Sequence, residues 1–266
     1  MNIKVIVAAH KSYEMPEDEM YLPLQVGAED KLSLGGNFYR DNTGENISRK
    51  NPLFCELTGL YWAWKNLDCD AYGLVHYRRG LTIKPKREIK KYGPLKNVLS
   101  FEETDGLLCK CDVIVPKKRK YYIENLYTHY SHTLDGSHLD LAKEIIAEKY
   151  PEYLPFVEKA YHQTWGYMFN MFIAKRQIAD SYLEWLFDIL FEMERRIDVT
   201  ALSDFHKRLF GRVSEILFNV WIQKAIADGI TVQEVSYLPI EKEDMVKKVI
   251  AFLKAKFFGK KYEASF

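Results

Sequence analysis

Tyr72-Gly-Leu-Val-His-Tyr-Arg-Arg-Gly80 begins apolar and ends polar. Its Gly73-Leu-Val75 core reads as a short buried strand of a sheet covered on both faces. His76, Tyr77, Arg78 and Arg79 then collect at the carboxyl end, and Gly80 is read as the point where the chain turns. In an open α/β sheet, ligands bind beyond the carboxyl ends of the strands. Two guanidiniums there suit a planar polyanion such as a phosphate or diphosphate, because each presents a fork of donors to paired oxygens. The plain alternative is an arginine pair at a solvated turn.

Working outward, Ile3 to Ala9 is a second continuous apolar run, ending in His10-Lys11. Residues 12–50 are punctuated by Pro16, Pro23, Gly27, Gly35, Gly36 and Gly44, a loop-rich stretch of the kind that serves a site. Within it, Leu24 to Ala28 reads as a short strand running into a turn. Asn51-Pro52 signals a helix start, with Asn51 as N-cap. Phe54, Leu57, Tyr61 and Trp64 recur at helical spacing up to about Asn66. Strand, loop, helix and strand in this order make a βαβ unit.

Further along, residues 84–100 read as an exposed lysine-rich excursion, and Asp112 to Pro116 as a strand followed by Lys117-Lys-Arg-Lys120. Helices are expected at 138–150, 152–161, 178–197 and 204–227, with a strand at 167–174. The last helix carries a polar stripe of Arg208, Arg212, Glu215, Asn219 and Gln223. Residues 1–240 thus read as one domain. The tail, 241–266, reads as a basic amphipathic helix, with Val246, Val249, Ile250, Leu253 and Phe257 on one face among lysines. Such a helix suits either an anionic membrane surface or the protein's own body.

Composition narrows the functions. A hydrophobic share of 47% and a charged share of 28% are those of a folded protein. A net charge of +1 argues against nucleic-acid binding by bulk attraction. The four cysteines, at 55, 69, 109 and 111, fit neither a zinc knuckle nor a redox pair, so free thiols are expected. The first apolar run is too short for a secretory leader, and none reaches the roughly 20 residues of a membrane span. A cytoplasmic protein follows, peripheral to the membrane if its tail binds there. The P-loop, dinucleotide, serine-hydrolase and zinc-protease signatures are all missing.

Three further groups are candidates. Glu215 suits a general base, or else an ordinary ion pair with Arg212. Asp135 and His138 close a histidine-rich loop, Tyr127 to His138, that suits acceptor binding or proton transfer, or simply caps the next helix. Asp68-Cys-Asp70 has the spacing of a metal-anchoring D-x-D but precedes its strand instead of following it. No divalent metal is therefore expected, and the two arginines would neutralise a leaving diphosphate instead.

These segments together resemble a family of bacterial capsular and exopolysaccharide glycosyltransferases, long known only as a domain of unknown function. The resemblance is carried by Lys4-Val-Ile-Val-Ala-Ala-His-Lys11, Gln25-Val-Gly-Ala28, Asp41-Asn-Thr-Gly-Glu-Asn-Ile-Ser48, the stretch from Cys55 to Asn66, Gly73 to Arg79, and Asn170-Met-Phe-Ile173. It implies a GT-A-like fold, a Rossmann-type mixed sheet flanked by helices. It also implies a donor and diphosphate site of His76, Tyr77, Arg78 and Arg79, bordered by His10, Lys11, Gln25, Val26, Gly27, Ala28, Asp41 and Asn42. A UDP-linked galactofuranose or galactose is the implied donor, with no cofactor besides this co-substrate. The expected acceptor is a lipid-linked oligosaccharide at the inner membrane face. The rivals are a phosphotransferase or phosphohydrolase using the same arginines, and a non-catalytic carbohydrate-binding protein.

Overall fold

A computed structural model describes residues 1–200 and 202–241. The tail helix expected beyond them lies outside the described residues. A mixed sheet forms the centre: β1 (Ile3–Ala9), β2 (Tyr21–Gln25), β3 (Tyr39–Arg40), β4 (Ala71–His76), β5 (Arg79–Thr82), β6 (Val113–Pro116), β9 (Phe172–Lys175) and β10 (Val232–Pro239). Its order is β3-β2-β1-β4-β5-β10-β6-β9, and β4 also pairs with β9. A separate ribbon joins β7 (Arg119–Lys120) to β8 (Trp165–Gly166).

β1 runs parallel to β2 on one side and to β4 on the other, with Ala8 opposite His76. The far edge of β4 is shared. Ala71 to Leu74 pair antiparallel with β9, whereas His76 pairs with Arg79 of β5. β6 is antiparallel to β9, so it points the same way as β1, β2 and β4. Their carboxyl ends therefore share one edge of the sheet.

The side-chain alternation of a strand divides β1 and β4 between two cores. Ile6, Ala8, Tyr72 and Leu74 face one layer, built on helices α1 (Asn51–Phe54), α2 (Leu57–Asn66), α5 (Leu126–Thr133), α6 (Ser137–Lys149), α7 (Leu154–His162), α8 (Arg176–Arg196) and α10 (Leu209–Ala227). Val5, Val7, Ala71 and Val75 face the other, closed by Leu99 and by Leu108 of α4 (Phe101–Leu108). Both faces of the central strands are covered, which explains their unbroken apolar runs.

Several expectations are corrected. The chain turns at Tyr77-Arg78, not at Gly80: His76 and Arg79 face each other across a tight hairpin. Gly80 lies inside β5, where a Cβ would come within 2.7 Å of Val98. The helix expected from Asn51 is broken at Cys55 (φ 53°), and Asn51 is its first helical residue, not its cap. The 84–100 excursion is partly internal. It contains α3 (Lys86–Tyr92), and Asn97, Val98 and Leu99 are buried. The strand expected at 167–174 shortens to β9, and the residues before it make a turn. The histidine-rich loop is largely α5. The helix expected at 204–227 divides into α9 (Asp204–Lys207) and α10.

Candidate active site

A cavity of about 680 Å³ opens beyond the carboxyl ends of β1 and β4. One wall is Ala8, Ala9, His10 and the hairpin from His76 to Arg79. The α1–α2 junction supplies Asn51, Pro52, Cys55 and Glu56, and the start of α10 with the residues before it supplies Lys207, Arg208, Gly211, Arg212 and Glu215. Val26 and Phe169 complete the lining. Five basic side chains (Arg78, Arg79, Lys207, Arg208, Arg212) thus line it together with two carboxylates, Glu56 and Glu215. A lining this rich in basic groups suits a polyanion.

The hairpin that carries Arg78 and Arg79 is held at several points. The Nε2–H of His76 donates to the Phe169 carbonyl at 2.7 Å. A carbonyl only accepts, so the proton sits on Nε2. Burial chiefly, then nearby Arg79 and Arg208, holds His76 below its ordinary pKa, opposed by Glu56. The guanidinium of Arg79 lies 4.5 Å from the Phe169 ring centroid, and its Nε donates to the Tyr237 hydroxyl at 3.2 Å. Arg78 faces Glu241 at 3.1 Å. Tyr77 stacks on Tyr13 at 3.8 Å, with the His10 ring edge-on at 5.3 Å. Burial, with Lys11 and Arg78 beside it, lowers the pKa of His10 as well.

Left-handed backbone gathers at the cavity. Cys55, Phe169 and Asn170 have φ of 53°, 76° and 53° without being glycine. Each such residue costs on the order of 1–3 kcal/mol unless its surroundings impose it. Asn170 is fixed on all sides: its Nδ2 donates to Glu56 Oε1 at 2.8 Å and to the Gly211 carbonyl at 3.0 Å, and its Oδ1 accepts from Ser214 at 3.0 Å. Cys55 accepts from Asn51 Nδ2 at its carbonyl (2.7 Å) and from Arg208 Nε at its sulfur (3.4 Å). Burial pushes its thiol up to about 11, so it stays protonated at neutral pH.

Glu215 accepts from the Phe169 backbone N–H at 3.2 Å. Removal from water raises its pKa first, and the charge of Glu56 adds to this; the Phe169 hydrogen bond, Arg212 and Arg79 pull it back. A carboxylate with an elevated pKa, set in a cationic cavity, has the character of a general base.

Of the residues singled out from the sequence, the cavity collects His10, Val26, His76, Tyr77, Arg78, Arg79 and Glu215. Asp135 and His138 do not line it. Asp135 is exposed and accepts from the Ser137 N–H, whereas His138 is buried against the Tyr130 hydroxyl at 3.2 Å. Lys11 is exposed outside the lining. Asn42 lies in the turn after β3, also outside it. Asp41 has no exposure at all, and its carboxylate accepts from Gly27 N (2.7 Å), Ala28 N (2.9 Å), Ser48 Oγ (2.5 Å) and Thr58 Oγ1 (2.6 Å). It secures the turn behind Val26, where Gly27 adopts a φ of 59° and a Cβ would sit 2.4 Å from the Asn51 side chain. Gln25 spends its amide on Leu32 and Leu34.

Sequence reading gave no site role to Glu56, Cys55, Lys207 or Phe169, although the first two lie in the stretch that carries the resemblance. Arg208 and Arg212 stood in the polar stripe expected on helix 204–227, Arg212 only as an ion-pair partner for Glu215 and Arg208 without a role. Their common signal was that stripe itself, a polar row on a helix otherwise buried. Among the described residues no three His, Cys, Asp or Glu side chains gather as a metal cluster would.

The fold and cavity define an α/β protein with a cavity rich in basic side chains on the carboxyl edge of its sheet. The chain belongs to the family described as a domain of unknown function, DUF4422, whose model matches residues 4–226. Its fold is similar to the apo structure of the WbbM bifunctional glycosyltransferase, with a TM-score of 0.81 and 30% identity over 91% of this chain. The match spans 46% of that protein, so the chain is about half its length. No curated protein matches the chain.

Proposed function

We propose that this chain is a glycosyltransferase that moves a hexosyl unit from a nucleoside diphosphate sugar to an acceptor hydroxyl. The observation that carries the reading is the cavity lining, which gathers five basic side chains and two carboxylates at the carboxyl edge of the sheet. Likeness to the WbbM bifunctional glycosyltransferase supports it. The diphosphate would lie against Arg78 and Arg79, reached from the opposite wall by Lys207, Arg208 and Arg212. Each charge-assisted hydrogen bond to it is worth about 1.5–3 kcal/mol. Tyr77 and His10 offer an aromatic wall for the base.

In the reaction the acceptor oxygen attacks the anomeric carbon and the bond from that carbon to the diphosphate breaks. The electron pair leaves on a phosphate oxygen, neutralised by the guanidiniums, so no divalent metal is required. Glu215 takes the acceptor's proton. A single direct attack inverts the anomeric centre. By resemblance to the capsular and exopolysaccharide enzymes, the donor is a UDP-linked galactofuranose or galactose. The acceptor is a lipid-linked oligosaccharide at the cytoplasmic membrane face.

Calorimetric titration with UDP, UDP-galactose and UDP-galactofuranose, in EDTA and again in manganese, tests this. Binding indifferent to EDTA and weakened by Arg79→Ala is expected. Release of inorganic phosphate without sugar transfer would favour a phosphohydrolase, and sugar binding without donor turnover a carbohydrate-binding protein.

A further inference from the structure

Among the described residues, three large apolar side chains are the most exposed: Leu32 at 92%, Tyr122 at 84% and Ile123 at 70%. Leu32 lies in the loop after β2, and the other two follow β7, the ribbon strand the chain enters on leaving β6. β2 and β6 end on the edge of the sheet where the cavity opens, and they lie on either side of β1 and β4 in the strand order. Lys117, Lys118, Arg119 and Lys120 are all exposed along the approach to Tyr122. Lys118 pairs with Glu234 at 3.3 Å. Lys117, Arg119 and Lys120 have no acidic partner among the described residues.

The loop does not display these side chains by being slack. Its stem is fixed by Lys117 N–H donating to the Val235 carbonyl at 2.8 Å and by the β7–β8 pairing of Arg119 with Gly166 and Lys120 with Trp165. Tyr121 N–H donates to the Thr164 carbonyl at 2.8 Å, and its ring packs 4.4 Å from that of His129. Beyond the tip, buried Glu124 accepts from His132 Nδ1 at 2.7 Å and His129 Nδ1 at 3.2 Å. Between these anchors Tyr122 takes a left-handed φ of 59°. An apolar tip on a tied stem, within a row of cations, is built to be covered.

We infer that this edge of the molecule docks on an anionic lipid bilayer, with Tyr122 and Ile123 entering the interface and Lys117, Arg119 and Lys120 on the headgroups. Three apolar side chains fall well short of the roughly 800 Å² that each partner of a stable protein complex contributes. A bilayer needs only a few apolar groups plus cations. Its residues are distinct in sequence from the 241–266 tail, and docking this way would turn the cavity mouth toward the membrane. If the proposed transferase reading holds, a lipid-borne acceptor would be presented at the site. The docking itself needs no catalysis.

The test places an environment-sensitive fluorophore at Ile123→Cys in a Cys109→Ser background of the full chain. Vesicles of phosphatidylcholine with and without phosphatidylglycerol are then added, with no donor present. A blue shift only with the anionic vesicles is expected. Lys117→Gln, Arg119→Gln and Lys120→Gln together should lower vesicle partition about 100-fold, and Tyr122→Ser with Ile123→Ser roughly tenfold or more. Nucleotide affinity of the same variants should be unchanged, which keeps failure of docking distinct from failure of the donor reading. The inference is overturned by a silent probe on sedimenting protein, by wild-type partition of either variant, or by no vesicle binding. A blue shift that follows protein concentration without vesicles would assign the surface to a second copy and overturn it too.

Discussion

Asp41 and Glu215 are carboxylates withdrawn from solvent, and they are held in opposite ways. Asp41 has four donors on its two oxygens, two from the backbone and two from hydroxyls, and it does not line the cavity. Glu215 has one backbone donor, a neighbouring carboxylate, and a cavity full of cations in front of it. A fully satisfied carboxylate is a structural part: its lone pairs are spent on holding the turn. An under-satisfied one beside another anion is poised to gain or lose a proton. The difference between the two is legible only in the donors around them.

The sharpest way to break that contrast is to replace Glu215. Glu215→Gln should lower kcat by about 10²–10⁴-fold, the usual worth of a positioned proton acceptor. Donor affinity and thermal midpoint should hold, because the amide removes a poorly solvated charge. Steady-state kinetics with a matched donor and acceptor decides it. Full retention of rate would pass the role to Glu56, the other carboxylate of the cavity.

Asp41 should behave in reverse. Asp41→Ala strands two backbone N–H groups and two hydroxyls without water, at a cost of about 3 kcal/mol or more in urea unfolding. Any loss of donor binding should follow the loss of fold, as the Val26 wall relaxes. A variant that folds normally but no longer binds nucleotide would mean that Asp41 touches the ligand. Smaller is the effect expected of Arg79→Lys. It keeps the charge but loses the fork and the stacking on Phe169, so nucleoside diphosphate affinity should fall about tenfold.

Much of this arrangement was legible in the residues. β1 and β4 announced themselves because both faces are covered, so their apolar runs are unbroken. The polar groups at their ends fell where a sheet puts a ligand. The hairpin at Tyr77-Arg78 was hidden because Gly80 looks like a turn residue, whereas its small size serves packing against Val98 inside a strand. The break at Cys55 and the turn at Phe169-Asn170 carry no glycine, so nothing local marks their left-handed backbone. Only long-range partners, Arg208, Ser214 and Glu56, impose it. Glu56 was invisible for that reason: the break in the helix is what aims it at the cavity. Asp135 and His138 were chemically apt, but the α5–α6 connection keeps them outside it.

The last and smallest effect separates the two cavity carboxylates by pH. Because the Glu215 pKa is raised above its ordinary value of 4.5, the folded chain holds this proton where the unfolded chain has released it. Its contribution to stability is therefore present in full below 4.5 and declines as pH rises through the elevated value. If Glu215 is the base, the acid limb of kcat/KM must lie above 4.5 as well, since the protonated form cannot accept the acceptor's proton. The Glu56 charge is one of the causes that raise it, so Glu56→Gln should slide that limb toward lower pH. Urea titrations of the same variant should show the stability decline moving with it. A limb that stays in place while Glu56 is neutral would mean that removal from water alone sets the proton affinity of Glu215, and that the two carboxylates act independently.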